Sequence, residues 1–202
     1  MAERHDCAIT AITLSSEQLA FARQRMSGRQ LLEKCDLRGQ DYRDLRGAFD
    51  RIVSIEMLEA VGEAYWSTYF KKLRECLSRN GVAVLQVITI DDAQFDNYRR
   101  RPDVIRRYIF PGGMLPTATI IAREIANAGL ELLSTEFFGE SYARTLGEWQ
   151  RRFQRARPTI AGLGFAGRFQ RTWEYYLAYC QVGFEIGAVN VGLYRLAHPA
   201  RK

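Results

Sequence analysis

The 202-residue chain has only two histidines, His5 and His198, near opposite termini. Its four cysteines, Cys7, Cys35, Cys76 and Cys180, form no CxxC pair, which argues against a zinc site and for free thiols in a reducing compartment. No apolar run approaches the length of a membrane-spanning helix. The start, MAERHDCAITAITL, lacks the basic segment, apolar stretch and cleavage site of a secretory signal. These absences suggest a cytoplasmic protein. There is no low-complexity linker and no internal repeat, so residues 1–202 are expected to form a single domain. What is present is ordinary globular material: 47% hydrophobic and 26% charged residues, with a net charge of +6. That surplus suits an anionic partner, phospholipid headgroups or nucleic acid. The arginines at 99–101, 106 and 107 concentrate it locally, although such a cluster also reads as a solvated face.

Short β-branched runs alternate with helical patterns, the signature of an α/β sheet. CAITAITL (7–14), RIVSI (51–55), GVAVLQVITI (81–90), LELLSTEFFG (130–139) and VNVGLYRLA (189–197) read as strands. The second and third have the continuous hydrophobicity of strands buried on both faces. SSEQLAFARQRM reads as a helix whose Ser15 and Gln18 have capping-box spacing, and AYWSTYFKKLRECL as an amphipathic helix. The Pro- and Gly-bearing stretch from 91 to 117 reads as a long connection, a lid or binding loop. Along residues 165–187, Phe165, Phe169, Trp173, Tyr176, Cys180 and Phe184 share one helical face, which is either core or the wall of a channel for an apolar substrate.

FDRIVSIEMLEAVGEAYW places two carboxylates, Glu56 and Glu59, among core-type residues. A carboxyl in such surroundings is expected to hold its proton unusually well. Glu56 reads as a charge favoured by a helix N-terminus.

Several stretches together, AITLSSEQLAFA, QDYRDL, FDRIVSIEMLEAVG, YWSTYFKKLRECL, RYIFPGGMLPT, FFGESYARTLGEW and WEYYLAYCQVGF, resemble the cyclopropane-fatty-acyl-phospholipid synthases and the mycolic acid cyclopropane synthases. The likeness covers nearly the whole chain in the family's order. It implies a Rossmann-like class I methyltransferase sheet flanked by helices, with S-adenosylmethionine as cofactor. The reaction implied is transfer of a methyl group to the cis double bond of unsaturated phospholipid acyl chains at the membrane surface. Nucleic acid is not expected as a partner, and no metal is implied.

In the family the proton lost on ring closure is taken by bound bicarbonate. By resemblance, Glu59, Tyr142, Cys180, Gln86 and the Ile88 backbone would hold it, with Gln86 standing where the family has a histidine. Tyr142 and Cys180 also have plain readings as a core tyrosine and a small hydrophobe. Thr13, Leu14 and Gln18 match positions beside the methionine and ribose of the cofactor. Asp41 and Tyr42 match the flanks of adenine, and Ile55 is also counted among the cofactor-binding residues.

The family's first strand and its glycine-rich turn have no counterpart here, so the chain is expected to lack a central strand and to be N-terminally truncated relative to the family. The neighbouring strands then close the gap, a second copy fills it as a homo-oligomer, or the enzyme is longer. Two alternatives to the phospholipid enzyme stand beside it: a non-catalytic remnant that binds acyl chains or a partner, and a methyltransferase acting on another lipid or small hydrophobic molecule.

Overall fold

The computed structural model describes residues 2–5 and 7–200. It divides into two compact units, Met1–Gly47 and Ala48–Lys202.

The first unit is a strand–helix–strand element. Strand β1 (Ile9–Thr13) lies parallel to β2 (Cys35–Gly39), joined through helix α1 (Ser16–Ser27). Ser15 caps α1 as its spacing suggests, its hydroxyl accepting from the Gln18 backbone N–H at 3.2 Å. Gln18 does not complete the box; its side chain takes the Thr13 hydroxyl at 2.8 Å instead.

The second unit holds a mixed four-stranded sheet. In chain order it contains β3 (Phe49–Ile55), the short α2 (Leu58–Val61), α3 (Trp66–Cys76), β4 (Leu77–Ile90), α4 (Asp92–Arg100), α5 (Ala118–Asn127), β5 (Glu131–Phe137), α6 (Gly139–Gly162), α7 (Arg168–Glu185) and β6 (Val189–Ala197). The strand order is β3-β4-β6-β5, with β3 parallel to β4 and β6 antiparallel to both of its neighbours. Trp66, Tyr69, Phe70 and Leu73 of α3, with Ile121 and Ile125 of α5, form a buried layer. A second cluster joins Ala143 and Leu146 of α6, Leu177 and Phe184 of α7 and Val191 of β6, with Ile88 packed against it.

Three expectations change. β4 is not uniformly buried, because Ala83, Leu85 and Val87 are sealed while the alternate residues, Gln86 and Ile88 among them, are half-buried. The pleat sends successive side chains to opposite faces, and the half-buried face is the one that carries polar chemistry. β3 is not a buried strand: Val53 and Ile55 are each 54% exposed, since within its sheet β3 is paired on one side only. Within its own two-stranded sheet, β1 is paired with β2. Finally, residues 91–117 are not an open loop. Asp91 caps α4 through the Ala93 N–H at 2.9 Å, a π-helical turn follows at Ile105–Ile109, and the Arg106 guanidinium ties the Tyr98 carbonyl at 2.6 Å to that of Gly113 at 3.1 Å. Local capping and one arginine's five donors fold what composition alone presents as a connection.

Candidate functional site

Strand β3 last pairs at Ile55 with Gln86, and the chain then turns away through Glu56, whose φ of 49° lies in the left-handed region rarely used by non-glycine residues. The Glu56 N–H still reaches the Gln86 carbonyl at 2.9 Å. Beyond it, the Ile88 N–H has lost its strand partner. Glu59, on the first turn of α2, supplies the missing acceptor: its Oε1 takes the Ile88 N–H at 2.6 Å. Glu59 is itself held by the segment YIFPGGMLPT, whose Met114 N–H donates to the Glu59 carbonyl at 2.9 Å. Met114, Pro116 and Thr117 are buried, which fixes that segment in place.

The second oxygen of Glu59 is buried and has no hydrogen-bond partner among the described residues. Burial pushes the carboxyl up to about 7; the Ile88 N–H pulls the other way, and the charge of Glu56 adds a smaller upward push. Glu59 therefore holds its proton across much of the range in which an ordinary carboxyl has lost it.

Glu56, read from the sequence as a charge at a helix N-terminus, lies just ahead of α2, and what the sequence did not show is its bonding: its Oε1 accepts both from Gln86 Nε2, at 2.9 Å, and from the Tyr142 hydroxyl in a short contact. Gln86 Nε2 also donates to the Tyr142 oxygen at 2.6 Å. The three side chains form a closed triangle joining β3, β4 and α6. Burial, reinforced by the Glu56 carboxylate, holds the Tyr142 hydroxyl proton far above the ordinary tyrosine range. A positive φ on a carboxylate residue at a strand end would have been the signal, and it is visible only in the backbone.

Tyr142 packs edge-on to Phe138 at 5.8 Å and against Phe184 at 5.2 Å, within the cluster that also includes Ile88, Tyr176 and Cys180. Cys180 thus shares a cluster with Tyr142 and Ile88 but is not drawn into the triangle. Its partner is Tyr176, and burial together with the Asp103 charge pushes the thiol up to about 12. Tyr176, also pushed up to about 12 mainly by burial, feels both Cys180 and Glu56. The arrangement offers a protonated acid, a carboxylate acceptor and an unionised tyrosine beside a wall of aromatic rings.

In the first unit, Thr13, Leu14 and Gln18 stand at the carboxyl end of β1, with Leu14 78% exposed. Asp41, just past β2, is engaged from both oxygens: the Arg43 side chain reaches Oδ2 at 2.6 Å, and the Arg43 N–H reaches Oδ1 at 2.9 Å. The Arg43 side chain is the main cause that lowers the carboxyl to about 2. Tyr42 follows in the same turn, half-buried. Ile55 ends β3 in the second unit.

The chain is similar to the tuberculostearic acid methyltransferase UfaA1 of Mycobacterium tuberculosis, with 39% identity over 184 residues covering 91% of this chain and 43% of that protein. It is similar to the cyclopropane-fatty-acyl-phospholipid synthase of Escherichia coli K12, with 35% identity over 186 residues covering 91% and 46%. It therefore spans about half the length of these relatives. Among solved structures, the cyclopropane synthase MmaA2 from M. tuberculosis superposes with a TM-score of 0.87 at 24% identity, over 96% of this chain and 71% of that one. The mycolic acid cyclopropane synthase CmaA1, solved with SAH and CTAB, gives 0.87 at 23% identity with the same coverage. These two likenesses establish the α/β methyltransferase fold. Residues 1–193 match the family model described as mycolic acid cyclopropane synthetase, and the chain belongs to that family.

Proposed function

We propose that the chain carries the proton-handling half of an S-adenosylmethionine-dependent lipid methyltransferase that acts on the cis double bond of unsaturated phospholipid acyl chains. The observation that carries this reading is the pairing of a proton-holding Glu59 with the Glu56–Gln86–Tyr142 triangle under an aromatic wall. Methyl addition to an alkene leaves a carbocation, and the reaction ends when a base takes a proton from it, closing a cyclopropane or leaving an unsaturated methyl branch. Such a site needs apolar surroundings and one well-placed acceptor. The Glu56 carboxylate is that acceptor in this reading, with Tyr142 and Gln86 positioning it and Glu59 relaying the proton onward.

The cofactor fits the exposed groups at the carboxyl ends of the parallel strands, where open α/β sheets bind ligands. Within the first unit, Leu14 presents apolar surface, Thr13 and Gln18 hydroxyl and amide groups, and Asp41 carboxylate oxygens beside the half-buried Tyr42. S-adenosylmethionine, when bound, supplies an electrophilic methyl group. Bicarbonate fits less well. Both Gln86 amide protons and the Tyr142 hydroxyl proton are committed to the triangle, the Ile88 N–H is committed to Glu59, and an added anion would meet the charge of Glu56. The reading therefore assigns the base to the chain itself.

The test is lipid mass spectrometry after incubation with S-adenosylmethionine and unsaturated phospholipid in detergent, with calorimetry of cofactor binding in parallel. A product one methylene heavier, formed equally in buffer freed of carbon dioxide and lost in Glu56→Gln, supports it. Cofactor binding without any product would instead favour an acyl-binding role, and a product that requires bicarbonate would return the base to that ion.

A further inference from the structure

The connector between α6 and α7, residues 163–167, displays apolar side chains to solvent: Leu163 is 71% exposed and Phe165 51%. This is not a slack loop. Gln170, buried at the start of α7, donates from Nε2 to the Arg157 carbonyl at 3.0 Å and to the Phe165 carbonyl at 3.1 Å, and its Oε1 accepts from Arg157 Nε at 3.1 Å. The Leu163, Gly164 and Phe165 N–H groups all donate back into the last turn of α6. Gly164 and Gly167 take φ values of 90° and 55°, which let the chain double back. The loop is thus fixed in a form that holds its two largest apolar side chains outward.

Cations outnumber acids around it. Between Trp149 and Trp173 there are six arginines and no acidic residue, and Glu148, just before this stretch, takes up Arg151 and Arg152. Arg157 is spoken for by Gln170 and Glu174, whereas Arg168 and Arg171, both exposed, have no carboxylate within ion-pair distance among the described residues. From the tip, the rings of Phe165, Phe169, Trp173 and Tyr176 follow one another along α7 at centroid spacings of 4.9, 5.7 and 5.1 Å. Tyr176 is the ring that feels Glu56 and Cys180, so an apolar track links the exposed tip to the candidate site.

We propose that this connector is the element that docks the protein on an anionic phospholipid bilayer: Leu163 and Phe165 enter the headgroup–acyl boundary, Arg168 and Arg171 meet lipid phosphates, and the α7 rings guide an acyl chain inward. Apolar insertion combined with unpaired cations is the chemistry that recognises such a surface, since binding follows buried apolar area plus attraction to anionic headgroups. The acyl-chain part of this proposal rests on the lipid methyltransferase reading; the docking part does not.

Co-sedimentation of the full chain with vesicles of phosphatidylcholine alone, or mixed with phosphatidylglycerol, tests it. Binding is expected only to the mixed vesicles and is expected to weaken with salt. Because these side chains are exposed, the variants should fold. Leu163→Asp with Phe165→Asp should weaken binding about tenfold or more. Each of Arg168→Gln and Arg171→Gln should weaken it about fivefold. No binding to mixed vesicles, equal binding by all variants, or a tip-dependent dimer by size exclusion in place of vesicle binding would overturn the proposal. Product formed in detergent without vesicle binding would end the docking proposal and leave the activity standing; vesicle binding without product would do the reverse.

Discussion

Replacing Glu59 by glutamine should change how stability depends on pH more than it changes stability itself. Below pH 4.5, the ordinary carboxyl value, folded and unfolded chains both hold the Glu59 proton, and the residue contributes no pH dependence. As pH rises the unfolded chain gives up its proton first, while burial keeps it on the folded one, so the folded state loses ground until its own value of about 7 is passed. A rise from 4.5 to about 7 corresponds to about 3 kcal/mol of stability lost across that window. Glutamine keeps the acceptor for the Ile88 N–H and removes the titration. Urea denaturation of the second unit can be followed through Trp66, Trp149 and Trp173, all of which lie in it. Near pH 5 the two proteins should be about equal, and near pH 8.5 Glu59→Gln should be the more stable by about 3 kcal/mol. A difference that stays below about 1 kcal/mol at both pH values would show that the carboxyl is hydrated, and the acid role of Glu59 would fall with it.

Tyr142→Phe removes a donor to the Glu56 carboxylate and an acceptor for Gln86; it should cost about 1–2 kcal/mol by chemical denaturation, less than a fully buried charged bond because Glu56 is exposed. In alkaline absorbance titration the variant should show the same tyrosinate signal as wild type through the ordinary tyrosine range, because Tyr142 ionises only above it. Cys180, its thiol raised to about 12, should resist alkylation at mildly alkaline pH in the folded protein and react once urea unfolds it, as peptide mapping of the labelled protein would show. Leu85→Ala, at a fully buried position in β4, should cost about 2–5 kcal/mol in urea denaturation, the range for an unfilled core cavity.

Elements whose signal is local were legible. β6 runs over Val189–Ala197 as its alternation suggests, and the buried stripe of α3 is the one its periodicity presents. Glu59, Tyr142, Gln86 and Ile88 were singled out through family resemblance, and their hydrogen bonds span 29 and 56 residues, distances over which composition and periodicity are silent. The partners of Glu56 escaped the sequence for a related reason. Helix-dipole logic looks a few residues along the chain, whereas its side chain answers to Tyr142, 86 residues away, through a backbone turn that no residue type announces. The burial of β3 and of β4 was overstated because strand composition cannot say how many neighbours a strand has. β3 is the end strand of its own sheet, and one face of β4 holds the polar triangle.

The two glutamates show how three residues of spacing can yield opposite chemistry. Glu56 stands where the strand ends, exposed, with two side-chain donors converging on a single oxygen. Glu59, one helical turn later, is turned inward with one backbone donor and one unpartnered oxygen, so its neutral form is favoured. Gln86→Leu would strip one donor from Glu56 and one from the Tyr142 oxygen while leaving the Glu59–Ile88 bond in place, so the loss should fall on the triangle and cost about 1–2 kcal/mol in urea denaturation. Carbon-13 NMR of labelled glutamate side chains should show Glu59 still titrating at about 7 in that variant. A Glu59 titration that moves with Gln86→Leu would mean that the two carboxyls answer to one network, and the division of labour between them would have no physical basis.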